Sequence, residues 1–446
     1  MKARSAMMPR TRYAPNEVDD VPLLWSGDVV VLGGGSAGTT AAIAAAREGA
    51  STLLVESGGF LGGTGTRVLD TFYGFYAPGG NGERVVGGIG WEVCTELFAR
   101  NSAFERPNTY GAGTGVTYEP EALKVVWDEL TDDSGVTVLL YGLVTAVVCE
   151  GNDLVGVIVE TKAGARLVSA SVFVDATGEA EVAWRAGATI SNTEESSRLQ
   201  PATATFRVGG VAHEAASTAA LHQLMSTAVA EGTYDLPRQE GSIHITTVPG
   251  IRHANMTRVS GRDLTDPWQL SKAEAEGRRQ VWEYARFLKG EVDGYADSYL
   301  ISSSSRIGVR ETRRVVGEYV LDREDFAEAR SHSDDIGRCG APIEDHGNGA
   351  TTRWEYVGAQ PAPDGSTYGI PFGTLLPVSV NNLLVAGRCL SATHDAHASV
   401  RSIAQCMAMG QAAGTAAALA SRSGVCVRVV DRTALREILA SRDVIL

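Results

Sequence analysis

The sequence predicts an α/β protein: a nucleotide-binding domain made of a βαβ unit and an antiparallel meander, interrupted by an inserted α+β domain. Three stretches predict it. "DVVVLGGGSAGTTAAIAAAREGASTLLVE", Asp28 to Glu56, runs from an apolar strand through clustered glycines into an alanine-rich helix and a second strand. "LVTAVVCEGNDLVGVIVETKAGARLVSASVFVDATG" holds three or four β runs broken at Gly151–Asn152 and Ala163–Gly164. Far downstream, "NNLLVAGR" restores a short apolar strand and leads into a long Ala/Gly helix. Period-two apolar runs with turn residues between them read as a meander, and a strand–helix–strand order reads as a parallel crossover.

In chain order, residues 1–26 read as a loose arm that straightens near Val21–Trp25. Its basic residues lack a continuous apolar core, so it is not expected to be a signal peptide. Asp28–Leu32 is the first strand, Ser36–Glu48 the helix and Ser51–Val55 the second strand. A glycine-rich passage from Ser57 to Gly90 reads as loop. "PEALKVVWDELTDDSGVTVLLY" gives a helix, a turn at Asp133–Gly135 and a strand, and the meander follows. The first part of the nucleotide domain therefore spans 27–190. Residues 191–362 mix strands, polar loops and charged helices such as "SKAEAEGRRQVWEYARFLKG", which defines the inserted substrate domain. Small and apolar residues then return over 363–425, with a C-terminal segment at 426–446. No internal repeat is visible.

Gly33, Gly35 and Gly38 occupy the GxGxxG positions directly after a strand. The first permits the sharp turn, the second lets a diphosphate approach the backbone, and the third lets helix and strand pack closely. Glu56 closes the next strand, where a carboxylate can hold ribose hydroxyls; an acid rather than arginine there argues against a 2′-phosphate. The pattern identifies an ADP moiety without saying which dinucleotide carries it. "GGFLGGTGT" brings Gly62 and Gly63 within reach of phosphate, although alone it reads equally as a surface loop. "VFVDATGEAEVA" alone reads as a β-turn. In "NNLLVAGRCLSATHDAHASVRSIAQCMAMGQAAG" a polar loop carries Arg388, His394, His397 and Arg401, and a small-residue helix is expected to start near Ser399. A helix N-terminus aimed at a flavin ring stabilises negative charge on that ring.

The totals narrow the function. The chain has 446 residues, 44% of them hydrophobic, which is enough for a large core. A net charge of -14 argues against nucleic acid or anionic membrane as the main partner. The six cysteines, Cys94, Cys149, Cys339, Cys389, Cys406 and Cys426, form no CxxC pair. Zinc, iron–sulfur and dithiol readings therefore fail, no metal site is expected, and scattered thiols fit a cytoplasmic protein. "SIAQCMAMGQAAGTAAALA" mimics a membrane span but carries two glutamines and reads as a buried helix. HExxH and P-loop patterns are missing, so zinc-hydrolase and NTPase readings lack support.

Together, "VVLGGGSAGTTAAIAAAREGASTLLVE", "FLGGTGT", "VDATGEAEVA", "RIGVRETRRVVGEYVLDRED" and "YGIPFGTLLPVSVNNLLVAGRCLSATHDAHASVRSIAQCMAMGQAAG" resemble the FAD-dependent oxidoreductases of the glutathione-reductase-type Rossmann fold, in the group related to the heterodisulfide reductase A flavoprotein. The resemblance spans about residues 27 to 420 and implies a noncovalently held FAD. Its implied contacts are Gly33, Gly35, Ser36, Ala37 and Gly38 in the first turn, Glu56, Ser57, Gly62, Gly63 and Thr64 beyond the second strand, and Val144 in the meander. Ala176, Thr177 and Gly178, then Gly387, Arg388, Ser399, Val400 and Arg401, complete the set. Many flavoproteins of this wider fold end the last strand in Gly-Asp; here the pair is Gly387-Arg388, so Arg388 is expected to offset diphosphate charge instead.

The implied activity is a FAD-dependent dehydrogenase or oxidase acting on a small polar molecule. Its electron acceptor is unspecified and a homo-oligomer is compatible with the sequence. Reduction of an activated double bond is the alternative; an RNA-modifying flavoprotein and a non-catalytic nucleotide-binding scaffold are rivals of other classes. The candidate acid/base groups are His394 and His397 on the returning loop and His346 in "PIEDHGNG". Arg310 is the candidate to hold a carboxylate or polarise a carbonyl. Arg306, Arg313 and Arg314 read as a solvated or ion-paired helix face, and Asn255 and Arg258 as weaker substrate-side candidates. Trp268, Trp282 and Tyr284 line an apolar pocket on one reading and pack a core on the other.

Overall fold

The computed structural model describes residues 11–79, 82–108, 113–191, 199–213, 218–347, 352–358 and 365–446. Strand β1 (Leu23–Leu32) feeds the glycine turn and helix α1 (Ser36–Arg47), and β2 (Thr52–Glu56) returns parallel to it, with Val29 opposite Thr52 and Leu32 opposite Val55. Helix α2 (Pro120–Asp133) precedes β3 (Thr137–Leu140), which extends the sheet parallel to β2. Its start is fixed by Pro120 in the first turn and by Glu119, whose side chain accepts from the Glu121 amide.

Strands β4 (Leu143–Glu150), β5 (Asp153–Thr161) and β6 (Gly164–Asp175) form the expected antiparallel meander. β6 is the hub. Its first half pairs with β5 and its second half with the returning strand Leu383–Val385, while β1 lies parallel along its other edge. The result is an eight-stranded mixed sheet with Val29, Val30, Val31, Leu54, Phe173 and Val174 fully buried within it. One expectation changes: the strand expected at Asp28 begins at Leu23, because Leu23–Gly27 pairs with Leu167–Ala170. Arg12–Tyr13 also joins the sheet, parallel to β4. The alternation of polar and apolar residues there is too weak to mark a strand.

The inserted segment has its own four-stranded antiparallel sheet. Its order is β8 (Ser242–Ile245), β9 (Arg252–Asn255), β7 (Phe206–Gly209) and β10 (Tyr299–Ser303). A separate core holds Phe206, Val208, Met225, Tyr284, Phe287 and Leu288, drawn partly from helix α3 (Pro267–Glu291). Two expectations are corrected here. Trp268 and Trp282 are 77% and 67% exposed on α3, and only Tyr284 turns inward, so the three line no pocket. Arg306, Arg313 and Arg314 share no helix: Arg313 lies over the Trp184 ring and Arg314 pairs with Glu311 beside the bridge to Ser191. Tertiary partners, rather than helical charge spacing, decide that segment.

After β11 (Ile343–Asp345) and β12 (Leu383–Val385), the chain makes a short helix α4 (His394–Val400) and the long helix α5 (Ile403–Ser423). The long helix was expected to start near Ser399, but the chain breaks at Arg401–Ser402, where Ser402 takes extended ψ 151° and caps α5. α5 is buried nearly all round, which explains its uniformly small, apolar composition. No helix among the described residues is long and apolar enough to cross a membrane.

α5 packs on α1 at close range. A Cβ on Gly410 would lie 2.1 Å from the Ala37 carbonyl oxygen, and one on Gly414 2.0 Å from that of Ala41. Gly414→Val is therefore expected to destabilise the fold by about 3 kcal/mol in denaturant unfolding, since the clash is with backbone that cannot turn aside. A loss below about 1 kcal/mol would mean the helices do not meet there.

Candidate functional site

The site is built where β1, β2 and β6 end and α1 and α5 begin. Gly33 has φ +100°, and a Cβ there would meet the Ala176 carbonyl at 2.5 Å. At Gly38 a Cβ would stand 1.8 Å from the Gly33 carbonyl oxygen, so only glycine lets the helix pack back on the turn. Gly35 differs from both. Its φ is an ordinary -73°, its nearest neighbour would be Gly63 Cα at 3.9 Å, and it faces open cavity. The three glycines thus divide the work of turning, approaching and packing. As the N-cap of α1, Gly35 leaves the unpaired amides of the first helical turn directed at the cavity.

The second glycine loop docks on the first. The Gly62 amide donates to the Gly34 carbonyl at 2.8 Å, with Gly62 and Gly63 both at positive φ. Glu56 is 6% exposed and braced within this frame. Its Oε2 accepts from the Gly34 amide at 2.8 Å, and Oε1 accepts from the Gly58 amide at 2.6 Å and from Arg67 Nη2 at 2.7 Å. A third support lies under the Ala176–Gly178 turn. Buried Asp175 accepts from Thr177, Val182 and Ala183, although burial still pushes its carboxyl up.

These pieces line one cavity of about 340 Å³. Of the residues expected at the cofactor, Gly33, Gly35, Ser36, Ala37, Glu56, Ser57, Gly63, Thr64, Val144, Ala176, Thr177, Gly178, Gly387, Arg388 and Arg401 line it. Gly38, Gly62, Ser399 and Val400 stand behind the wall. Ser399 is fully buried, donating to the Ala341 carbonyl at 2.5 Å and meeting Tyr368 Oη at 2.7 Å. The α5 terminus reaches the cavity through Arg401, Ser402, Ile403 and Cys406 instead. Arg388 Nη1 is buried with no hydrogen-bond partner among the described residues, and Nη2 stands 4.0 Å from Glu179. A guanidinium nitrogen without a partner, a side-chain-free cradle at Gly35 and a helix N-terminus fit a diphosphate-bearing cofactor.

The same cavity continues into the inserted segment, where Tyr73, Arg238, Asn255, Arg310, Glu344, His346 and Trp354 line its inner end. His346 is 2% exposed. Its Nε2 lies 3.2 Å from Glu344 Oε1, and its Nδ1 lies 3.0 Å from Thr352 Oγ1. Thr352 gives its single hydroxyl proton to Glu240, which also pairs with Arg258. Nδ1 must then keep its own proton and donate to Thr352, so the contact between Nε2 and Glu344 is the place where the pair can hold a further proton. Burial, with Arg310 close by, pushes the imidazole well below its ordinary range, while Glu344 acts to keep a proton on it. Burial pushes Glu344 the other way, but His346, Arg401 and Arg310 outweigh it and hold the carboxyl at about 2.

His394 and His397 do not reach the cavity. They sit one helical turn apart on α4. His397 is fully buried, with Nε2 on the Arg388 carbonyl at 2.8 Å. His394 is held between Glu311, 2.9 Å from Nδ1, and Asp345, 3.6 Å from Nε2. Proximity in sequence to the returning helix suggested both, but α4 turns them toward core and rim. Arg258 is likewise off the cavity, bracing Glu240 and Thr352. Sequence reasoning missed Glu344 and Arg238. Glu344 had a signal: it stands two residues before His346 beside a strand, where alternate side chains share a face. Arg238 sits in a polar loop without any pattern.

A second buried cluster adjoins the inner end. Asp70, 1% exposed, lies 2.8 Å from His244 Nε2 and 3.3 Å from His253 Nδ1. Burial lowers His253 to about 4, against an unfolded value of about 6.5. Below the unfolded value the denatured chain binds a proton that the native chain refuses, so acidification costs stability until about pH 4. The protein is expected to lose about 2 kcal/mol more than His253→Gln between about pH 7.5 and 5 in denaturant unfolding. Equal losses would show that His253 is not the group refusing the proton.

A family model described as FAD dependent oxidoreductase matches residues 28–439. Among solved structures, the chain is similar to a geranylgeranyl bacteriochlorophyll reductase-like protein from Thermoplasma acidophilum, at 14% identity over 94% of this chain and 84% of that one, with a TM-score of 0.49. It is also similar to p-nitrophenol 4-monooxygenase PnpA from Pseudomonas putida DLL-E4, at 12% identity over 94% and 88% of the two chains, with a TM-score of 0.49. No curated protein sequence matches the chain significantly.

Proposed function

The chain belongs to the FAD dependent oxidoreductase family, and from that premise we propose that it oxidises a small organic substrate, with the Glu344–His346 pair taking the proton released. The observation that carries this reading is the single cavity joining the Gly35 cradle to His346. Its cofactor is FAD. We assign the diphosphate to the α1 N-terminus, Gly63 and Arg388, the ribose to Glu56 and the adenine to the backbone near Val144. The flavin ring belongs beside Arg401, Ser402 and Ile403 at the start of α5.

Bound FAD supplies a two-electron acceptor that takes hydride at flavin N5. The protein contributes position and proton transfer. Arg310, tied by Nη1 to the Pro201 carbonyl at 2.6 Å, directs its remaining donors to the substrate. A substrate O–H or N–H proton passes to the Glu344–His346 pair, which holds it between Oε1 and Nε2, 3.2 Å apart. Thr352 and Glu240 fix the ring in that tautomer from behind. The inserted lobe supplies one wall of the cavity, through Arg238, Asn255 and Arg310.

The test is a visible spectrum of the purified protein followed by anaerobic bleaching against alcohols, amines and acids. A flavin spectrum, release of FAD on denaturation and bleaching by one class are expected. A protein that stays colourless after incubation with FAD is no flavoenzyme.

A further inference from the structure

The inner end of the cavity carries positive charge that the chain itself does not neutralise. Arg238, Arg310 and Arg401 all line it, yet none has a carboxylate within 4.0 Å among the described residues. Several other inward-facing arginines of this acidic protein are paired with a carboxylate: Arg67 with Glu56, Arg258 with Glu240, Arg314 with Glu311. Arg238 is 3% exposed, and its backbone is pinned on both sides by the Tyr284 hydroxyl. Among the described residues its Nη1 reaches only the carbonyl and side chain of Asn255, and its Nε is buried without a partner. Arg401 Nε is also buried and unpartnered. Arg310 feels both of the others, since burial and the charges of Arg238 and Arg401 push it well below its ordinary range. Glu344 is the one acid on this wall; it lies against His346 and offsets only part of the charge of Arg310 and Arg401. Burying three like charges against a single carboxylate is costly, so such a cluster implies an anion that completes it.

We propose that this end of the cavity binds the carboxylate group of a small organic acid, gripped by Arg238, Arg310 and Arg401, with the reacting carbon presented to Glu344 and His346. This rests on the reading above that the inner end is the substrate end. The planar guanidinium fork matches a flat carboxylate in two parallel hydrogen bonds. Phosphate is the competing anion for such a fork, and the titration below separates the two. Tyr73 and Trp354 leave room on the same wall for a short apolar or polar remainder.

The test is calorimetric titration of the FAD-loaded protein, with flavin difference spectra as a second readout. Probes are oxalate, malonate, succinate and benzoate, each paired with its amide, and inorganic phosphate. At least one carboxylate is expected to bind at least tenfold more tightly than its amide, and to weaken as salt rises. Arg238→Met and Arg310→Met are expected to reduce that binding at least tenfold while FAD content and melting temperature hold. Should either variant fail to fold, the acid–amide comparison on the unaltered protein still decides. Amides binding as tightly as acids, or phosphate binding more tightly than every acid, overturns the proposal. A yellow protein that ignores all carboxylates overturns this inference alone, whereas a colourless one overturns the flavoenzyme reading beneath it.

Discussion

Gly35→Val is expected to yield a folded but colourless protein. Valine is compatible with the φ of -73° at this position, and the nearest atom to its Cβ is Gly63 Cα at 3.9 Å, so backbone and packing tolerate the change. The added methyl groups, however, occupy the space through which a diphosphate must reach the first-turn amides of α1. FAD affinity should fall at least about a hundredfold, about 2.7 kcal/mol, while unfolding is within about 1 kcal/mol of the parent. Gly38→Val is the contrasting control. Its Cβ would stand 1.8 Å from a backbone oxygen, so stability and flavin should be lost together. Flavin retention in Gly35→Val, measured by absorbance against total protein, would remove the cradle from the account.

The second large effect is on rate. His346→Gln is expected to slow anaerobic flavin bleaching by about a hundred- to a thousandfold, with FAD content and half-saturating substrate little changed. Glutamine preserves a hydrogen bond to Thr352 but offers no lone pair basic enough to take a proton. The pH profile gives an independent sign. The pair must be unprotonated to accept a proton, and both members titrate well below neutrality. The bleaching rate should therefore be level from about pH 6 to 8 and fall only as acid fills the pair. A decline below threefold in His346→Gln, or a profile falling through neutral pH, assigns the proton to another group.

How much of this was legible depended on how local each determinant is. The βαβ turn is written in consecutive residues, because each glycine answers a contact within a few positions or a φ that only glycine accepts easily. The meander is equally local, with the breaks at Gly151 and Gly164 at positive φ as turns require. The inner cavity is not local. Arg238 is poised by Tyr284, 46 residues away, and His346 by Gln200, 146 residues away, and no spacing rule connects such pairs. His394 and His397 misled for the same reason: their nearness to α5 in sequence says nothing of which way α4 faces. The break at Ser402 shifted the functional helix start by a turn, since an alanine-rich stretch carries little punctuation besides a serine cap.

The pairing of β6 has a consequence for how the chain is born. Asp175 takes Val385 as its strand partner, about 210 positions later, so one edge of the hub strand stays open while the whole inserted lobe is made. At about 5–20 residues per second that is an interval of about 10–40 s on the ribosome. During it, Phe173 and Val174 present an unsealed template to any other nascent strand. Synthesis speed and chaperone supply, more than final stability, should therefore govern the soluble yield of this protein.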